Sequence, residues 1–284
     1  MKCVICQSAM RLFLSKGFPE VGLDTVDYWR CEDCGFVISK THVEMTREAW
    51  ENLNYKMHAG YQATRTTAED DPLLVGRLQK QAEMLCDVQE LGILKRGDRW
   101  LDYACGDGRL SDILLQVYSL QMLKYERYMP KREGYLDGGA LVPGGFDFVI
   151  TTSVFEHLAR REQFDAIENL LGKQGVLGIH TLVCEEVPAD PAWFYMNPVH
   201  CAFHTNKSME ILFRQWGYKC SIYNVEAKLW LWFKSEPKEI EAIIQGANVR
   251  SRRPHYIFKA GFVDYWKASP IRRSFTDTQN PLTR

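Results

Sequence analysis

Apolar positions along the chain change their period near residue 98. Before that point, residues 73–91 place Leu74, Leu78, Met84, Leu85, Val88 and Leu91 close to helical spacing, and Leu91-Gly92 supplies a stop. Beyond it, short apolar runs alternate with amphipathic ones. Residues 99–103, 120–126, 146–151 and 176–183 read as strands, and 109–117, 160–171 and 206–216 as helices, the last ending at Gly217. Two further β-rich runs, 219–225 and 228–234, are separated by a short break and read as an antiparallel hairpin closing the sheet edge.

Strands alternating with helices predict βαβ units and a mostly parallel sheet covered on both faces. The fold class expected is α/β, a Rossmann-like doubly wound sheet with a C-terminal antiparallel hairpin, preceded by a small zinc-ribbon domain. The expected boundaries are 1–40 for the ribbon, 41–95 for a helical linker or lid, 96–268 for the α/β domain and 269–284 for a loose polar tail. No internal repeat is visible.

Composition changes this picture little. The 284 residues carry 46% hydrophobic and 25% charged side chains, enough apolar surface for a packed core. The net charge of −1 excludes a protein held to nucleic acid by bulk charge alone. No apolar run reaches the roughly 18 residues of a membrane helix, and the N-terminus has no signal-peptide pattern. The expectation is a cytoplasmic protein with no membrane partner. Nine cysteines make a poor disulfide scaffold for this length, and in a reducing compartment clustered cysteines bind metal.

The chemistry concentrates first in Leu101-Asp102-Tyr103-Ala104-Cys105-Gly106-Asp107-Gly108. An apolar strand ends in small residues and opens a helix. Glycines there let the backbone turn tightly against a ligand, in the crevice where open α/β sheets bind ligands. Glu126 ends the next strand about 20 residues on, where a carboxylate can accept hydrogen bonds from both ribose hydroxyls of a nucleoside. A dinucleotide fold prefers a further glycine three residues after Gly108, where this chain has Ser111.

The segment resembles motif I of the class I S-adenosylmethionine-dependent methyltransferases, Asp-x-Gly-x-Gly-x-Gly, with Ala104 in place of the first glycine. Residues 146–158, ending Glu156-His157-Leu158, are similar to the family's fourth strand and the helix start after it, and 175–181 to its fifth strand. The resemblance covers about residues 95–235. It implies S-adenosylmethionine as cofactor, bound by Asp102, Ala104, Cys105, Gly106 and Gly108 at the turn, Glu126 at the ribose, Asp137 toward the adenine amine, and Ser153 after the fourth strand.

Cys3, Cys6, Cys31 and Cys34 form two C-x2-C knuckles separated by 24 residues. Four thiolates complete a tetrahedral zinc site with no open position, so the zinc expected there is structural. The remaining cysteines, at 86, 105, 184, 201 and 220, are scattered and read as small apolar residues. Ribbons ahead of this fold occur in enzymes resembling sugar C-methyltransferases and in the large-subunit rRNA guanine methyltransferases. The four-cysteine pattern and the charge balance favour the first.

The acceptor side is expected in residues 193–205, where aromatic side chains can wall a dry pocket or stack on a sugar face. His200, Phe203, Thr205 and Gly217-Tyr218 resemble a motif of small-molecule and glycan-directed members. His157, His200 and His204 are the candidate proton acceptors. Asn197-Pro198-Val199 follows the fifth strand and lacks a second proline and an aromatic, so it is not read as an amide-gripping motif. Tyr55 and Tyr61 are read as packing residues, with a lid over the cofactor as the alternative. Residues 250–273 hold seven Lys or Arg against Asp264, a solvated surface or a phosphate-binding one. The function expected is methyl transfer to a small-molecule acceptor, a sugar, nucleotide-sugar or glycan precursor. RNA methylation through the ribbon and a non-catalytic binding protein are the alternatives.

Overall fold

The computed structural model describes residues 1–64, 72–96, 99–129, 133–250 and 256–264, with the side chains of 59–64, 72 and 250 left out. The side chain of Tyr61, most of the basic 250–273 stretch and the tail therefore lie outside the described residues. The chain builds two sheets. Eight strands, β4 (Trp100–Tyr103), β5 (Leu123–Tyr125), β6 (Tyr135–Leu136), β7 (Phe146–Thr152), β8 (Leu171–His180), β11 (Cys220–Asn224), β12 (Leu229–Phe233) and β13 (Tyr256–Lys259), run in the order β13-β11-β12-β8-β7-β4-β5-β6. β6, β5, β4, β7 and β8 are mutually parallel, whereas β12 is antiparallel to β8.

Period-2 alternation assigns each strand's side chains to opposite faces, and both faces are covered. Val149, Leu177, Ile179, Trp230 and Trp232 join one core with Phe164 of α5 (Arg161–Glu168) and Phe213 of α6 (Asn206–Gln215). Phe148, Ile150, Val176, Leu231 and Phe233 join another with Leu85 of α3 (Pro72–Glu90), Leu114 of α4 (Arg109–Tyr118) and Ile244 of α7 (Pro237–Arg250). This is the expected doubly wound arrangement with its antiparallel hairpin. The hairpin's second strand lies inward, next to β8, and β13 extends the sheet beyond its first.

Sequence reading left the 24 residues between the cysteine pairs without elements. They hold β1 (Met10–Phe18) and β2 (Leu23–Cys31), an antiparallel pair turned by Gly22 at φ +82°. β3 (Val37–Ser39) pairs with β2 on one side and with β10 (Ala202–Thr205) on the other, and β10 pairs in parallel with β9 (Val183–Cys184). The two-stranded hairpin is thus continued by strands from the far part of the chain. Cys3, Ile5, Phe36 and Ile38 pack in the same core as the central sheet.

After β3 come α1 (Lys40–Glu44), capped by the Ser39 side chain, and α2 (Arg47–Thr64). The latter lies over the loop that follows β5: Tyr55 donates to the carbonyl of Arg127 at 3.3 Å, His58 stacks on Tyr128, and Arg127 pairs with Glu51. Among the described residues no helix is long and apolar enough to cross a membrane.

Candidate active site

β4 and β7 are neighbours whose connections leave in opposite directions along the sheet, so a crevice opens at their carboxyl ends. The chain leaves β4 through three left-handed residues, Ala104 at φ +57°, Gly106 at +60° and Gly108 at +75°. At Gly108 the left-handed φ favours glycine, and a Cβ would push aside the Lys124 and Tyr135 side-chain ends, 2.8 Å from it. At Ala104 the same backbone is held by an L residue, against a strain of about 1–2 kcal/mol.

Glu126 is 4% exposed and closes β5. Its Oε2 accepts from the Gly106 amide at 2.8 Å. Its Oε1 accepts from the amides of Arg127 and Tyr128 at 2.7 Å and of Met129 at 3.3 Å. The carboxylate ties the glycine turn to the next loop and keeps acceptor capacity on Oε2. One ribose hydroxyl rather than two matches what remains. Asp102 is 1% exposed, and burial pushes its carboxyl up to about 7. Its Oδ2 accepts from Ser111 at 3.2 Å, while Oδ1 is buried with no partner in the structure. Cys105 lies in the turn, and burial raises its thiol. The register Tyr125↔Leu136 puts exposed Asp137 one step past β6, beside the end of β5. An orphaned carboxylate oxygen beside a glycine cradle is a set of residues that fits an adenosyl ligand.

Past β7, Ser153 has φ +57°, donates its amide to the His180 carbonyl at 2.8 Å and faces the His180 ring at 3.4 Å. His180 is held down to about 3 by burial and then by Arg77, whose Nη1 is 3.5 Å from its Nε2. One 3-10 turn follows, Phe155–His157. Glu156 is 1% exposed and accepts from Tyr195 Oη at 2.7 Å and Thr181 Oγ1 at 2.8 Å. The His200 ring stands 4.8 Å from the His157 ring, edge to face. His200 Nδ1 lies 2.8 Å from the Tyr195 carbonyl, which can only accept, so Nδ1 carries the proton and Nε2 the lone pair. His157 Nδ1 is buried with no partner. Burial lowers both imidazoles; the neighbouring His200 adds to this at His157, and Glu156 opposes it at His200.

The loop carrying His200 is locked from several sides. Asn197 Oδ1 accepts from the amides of Val199 and His200, and His42 of α1 donates to the Pro198 carbonyl at 2.9 Å. His204 is not brought to this cluster. It is 1% exposed, among Phe36, Phe155 and Phe164, and burial holds its ring down to about 4. That correction has a plain cause: β10 alternates, and His204 points into the core between the sheets. Glu156, Tyr195, Thr181 and His180, which the fold brings to Ser153, His157 and His200, are not singled out by the sequence pattern. The signal available for Glu156 was its place beside His157 after the fourth strand.

A cavity of about 450 Å³ is lined by both signs of charge, among others by Arg47, Glu51, Arg127, Arg160 and Glu162, with Trp50 and Tyr128. The four N-terminal cysteines also meet. Cys3–Cys34, Cys6–Cys31 and Cys6–Cys34 sulfurs lie 3.7, 3.3 and 3.6 Å apart. A zinc ion with bonds of about 2.3 Å to four sulfurs sets them roughly 3.8 Å apart, so the cluster has the size of that tetrahedron. The Ile5 and Cys34 amides point at Cys3 and Cys31 sulfurs at 3.4 Å, as donors to thiolates would.

Strand order, glycine turn and the acid closing β5 together define a class I methyltransferase fold. A family model described as "Methyltransferase domain" matches residues 77–221, just over half of the chain. The chain belongs to this family: it is an S-adenosylmethionine-dependent methyltransferase. Among curated proteins none matches it. Similar solved structures include a SAM-dependent methyltransferase from Archaeoglobus fulgidus, 14% identical over 50% of this chain and 72% of that one, TM-score 0.35. Another is phosphoethanolamine N-methyltransferase 2 from Haemonchus contortus in complex with S-adenosyl-L-methionine, 12% identical over 85% of this chain and 58% of that one, TM-score 0.37.

Proposed function

We propose that the enzyme methylates a small-molecule acceptor, a sugar or nucleotide-sugar, held between the His157–His200 pair and the cavity lined by Trp50 and Tyr128. The observation that carries this reading is that β5 and β7, flanking β4 in parallel, end on the same edge of the sheet. Glu126 closes β5 beside the glycine turn, and His157, just past β7, meets His200 of the loop before β10. S-adenosylmethionine, when bound, supplies a methyl carbon on a positively charged sulfur. Glu126, Asp102 and Asp137 would hold it, Glu126 Oε2 by accepting from a ribose hydroxyl, Asp102 at the turn toward the methionyl part and Asp137 toward the adenine. The protein's further task is to align acceptor and methyl carbon and to keep water out.

Trp50 and Tyr128 in that cavity suit a sugar face and Arg160 a phosphate, whereas Arg47 and Arg127 there are already paired with Glu51. The four cysteines serve as a structural zinc site, in the reducing cytoplasm where their thiols stay free. Titration calorimetry with S-adenosylhomocysteine tests the cofactor site: Glu126→Ala is expected to weaken binding at least tenfold, and equal affinity in both proteins would overturn the assignment. Labelled cofactor offered with sugars, nucleotide-sugars and RNA tests the acceptor. Label on RNA alone would replace this reading with the nucleic-acid one.

A further inference from the structure

We propose that Glu156, His157 and His200 bind a divalent metal ion at the acceptor end of the cleft, a second metal centre separate from the cysteine cluster. One ligand atom from each residue lies within 4.8 Å of those of the other two. Two imidazoles and one carboxylate form a donor set for first-row divalent ions, leaving positions open for other ligands. An ion bound at about 2.1 Å draws its ligands to roughly 3–3.5 Å of one another, so side-chain rotations of about an ångström close the site.

Three independent features of the cluster point to an ion. His200 is fixed by its Nδ1 bond to the Tyr195 carbonyl, which turns the Nε2 lone pair away from that carbonyl, the outer support that metal-bound histidines usually have. Tyr195 Oη and Thr181 Oγ1 hold the Glu156 carboxylate in place and leave each oxygen a further lone pair. His157 Nδ1 is shut off from water without a partner. Charge adds to this. Glu156 is buried, and no lysine or arginine among the described residues forms an ion pair with it. A buried carboxylate is stable when paired with a cation or a metal.

The ion's role in methyl transfer rests on the acceptor reading above, whereas its binding does not. An ion there would make an acceptor hydroxyl more acidic, so that its proton leaves to bulk solvent as the acceptor binds, before water is excluded. The oxygen lone pair then forms the O–C bond while the C–S pair passes to sulfur, leaving a neutral thioether. Neighbouring sugar hydroxyls suit the open positions, since two of them can chelate one ion.

Cobalt(II) titration of the metal-stripped full-length protein under reducing conditions reads the two centres separately. Thiolate ligation gives intense charge-transfer absorption, and nitrogen–oxygen ligation gives weak d–d bands only. Two equivalents are expected, one of each kind. Glu156→Gln and His200→Gln should each lose the weak-band equivalent, or bind it at least tenfold more weakly, and keep the thiolate one. Tyr195→Phe, which removes a support of Glu156 together with an acceptor for the Leu182 amide, should weaken it 10- to 100-fold. A wild type that takes up the thiolate equivalent alone overturns the proposal, whether or not the variants fold. So does a folded Glu156→Gln protein that still binds two equivalents with wild-type affinity. S-adenosylhomocysteine calorimetry on the same samples separates the readings: two cobalt ions without nucleoside binding would sink the cofactor assignment and leave the metal site standing, and the converse would do the reverse.

Discussion

Ala104 shows how much one residue's backbone can carry. Motif I asks for glycine at this position, and the sequence supplies alanine. The structure holds it at φ +57°, so the turn is made despite the Cβ. The left-handed conformation costs an L residue about 1–2 kcal/mol, and glycine's extra chain entropy returns about 0.5–1 of that. Ala104→Gly is therefore expected to raise stability by roughly 0.5–1 kcal/mol in urea unfolding; a destabilised variant would show that the methyl group packs usefully. Glu126 was legible as a lone acid at the right distance. Its tie to the Gly106 amide was not, because a hydrogen bond across 20 residues depends on where two strand ends meet.

At the scale of elements, β10 is the most instructive. Its four residues are all buried, because they join the cysteine-bearing strands on one edge and β9 on the other. In sequence they sit in a loop rich in aromatic and polar side chains, and His204 reads like a base. Packed among three phenylalanines, it stays neutral when folded down to about pH 4, whereas an unfolded histidine titrates near 6.5. The unfolded chain binds the extra proton between those values. The contribution is whole above pH 6.5 and is lost as pH falls toward 4, by up to about 1.4 kcal/mol per unit. Between pH 7 and 5 the wild type should lose roughly 1–2 kcal/mol more than His204→Leu. Asp102, raised to about 7, has the opposite sign, and being common to both proteins it cancels. Parallel pH profiles would show that His204 takes up its proton without unfolding.

For the whole molecule, the cysteine cluster is part of one cooperative body. Cys3 and Ile5 share the core of the central sheet. Thr205 Oγ1 donates to the Cys34 carbonyl at 2.5 Å and also caps α6, and Gln215 donates to the Ile5 carbonyl at 2.9 Å. With zinc in the cluster, its removal by a chelator is expected to lower a single thermal transition of the entire chain. Even about 4 kcal/mol of lost linkage would move Tm by roughly 8–16 °C. Two separate transitions, with the α/β domain unmoved, would contradict this coupling.

Local pattern was sufficient for the parallel strands, the helices between them, the glycine turn and the cysteine knuckles. Each depends on residues close in sequence: periodicity that buries one face, glycines that turn the chain, paired thiols three residues apart. Tertiary contact alone decided that β12 lies inside β11, that the cysteine-bearing hairpin is completed by β10, and that His157 and His200 meet over Glu156 while His204 does not. Those outcomes turn on which distant backbone edges pair and which side of a strand then faces the core, and neither is written in the spacing of neighbouring side chains.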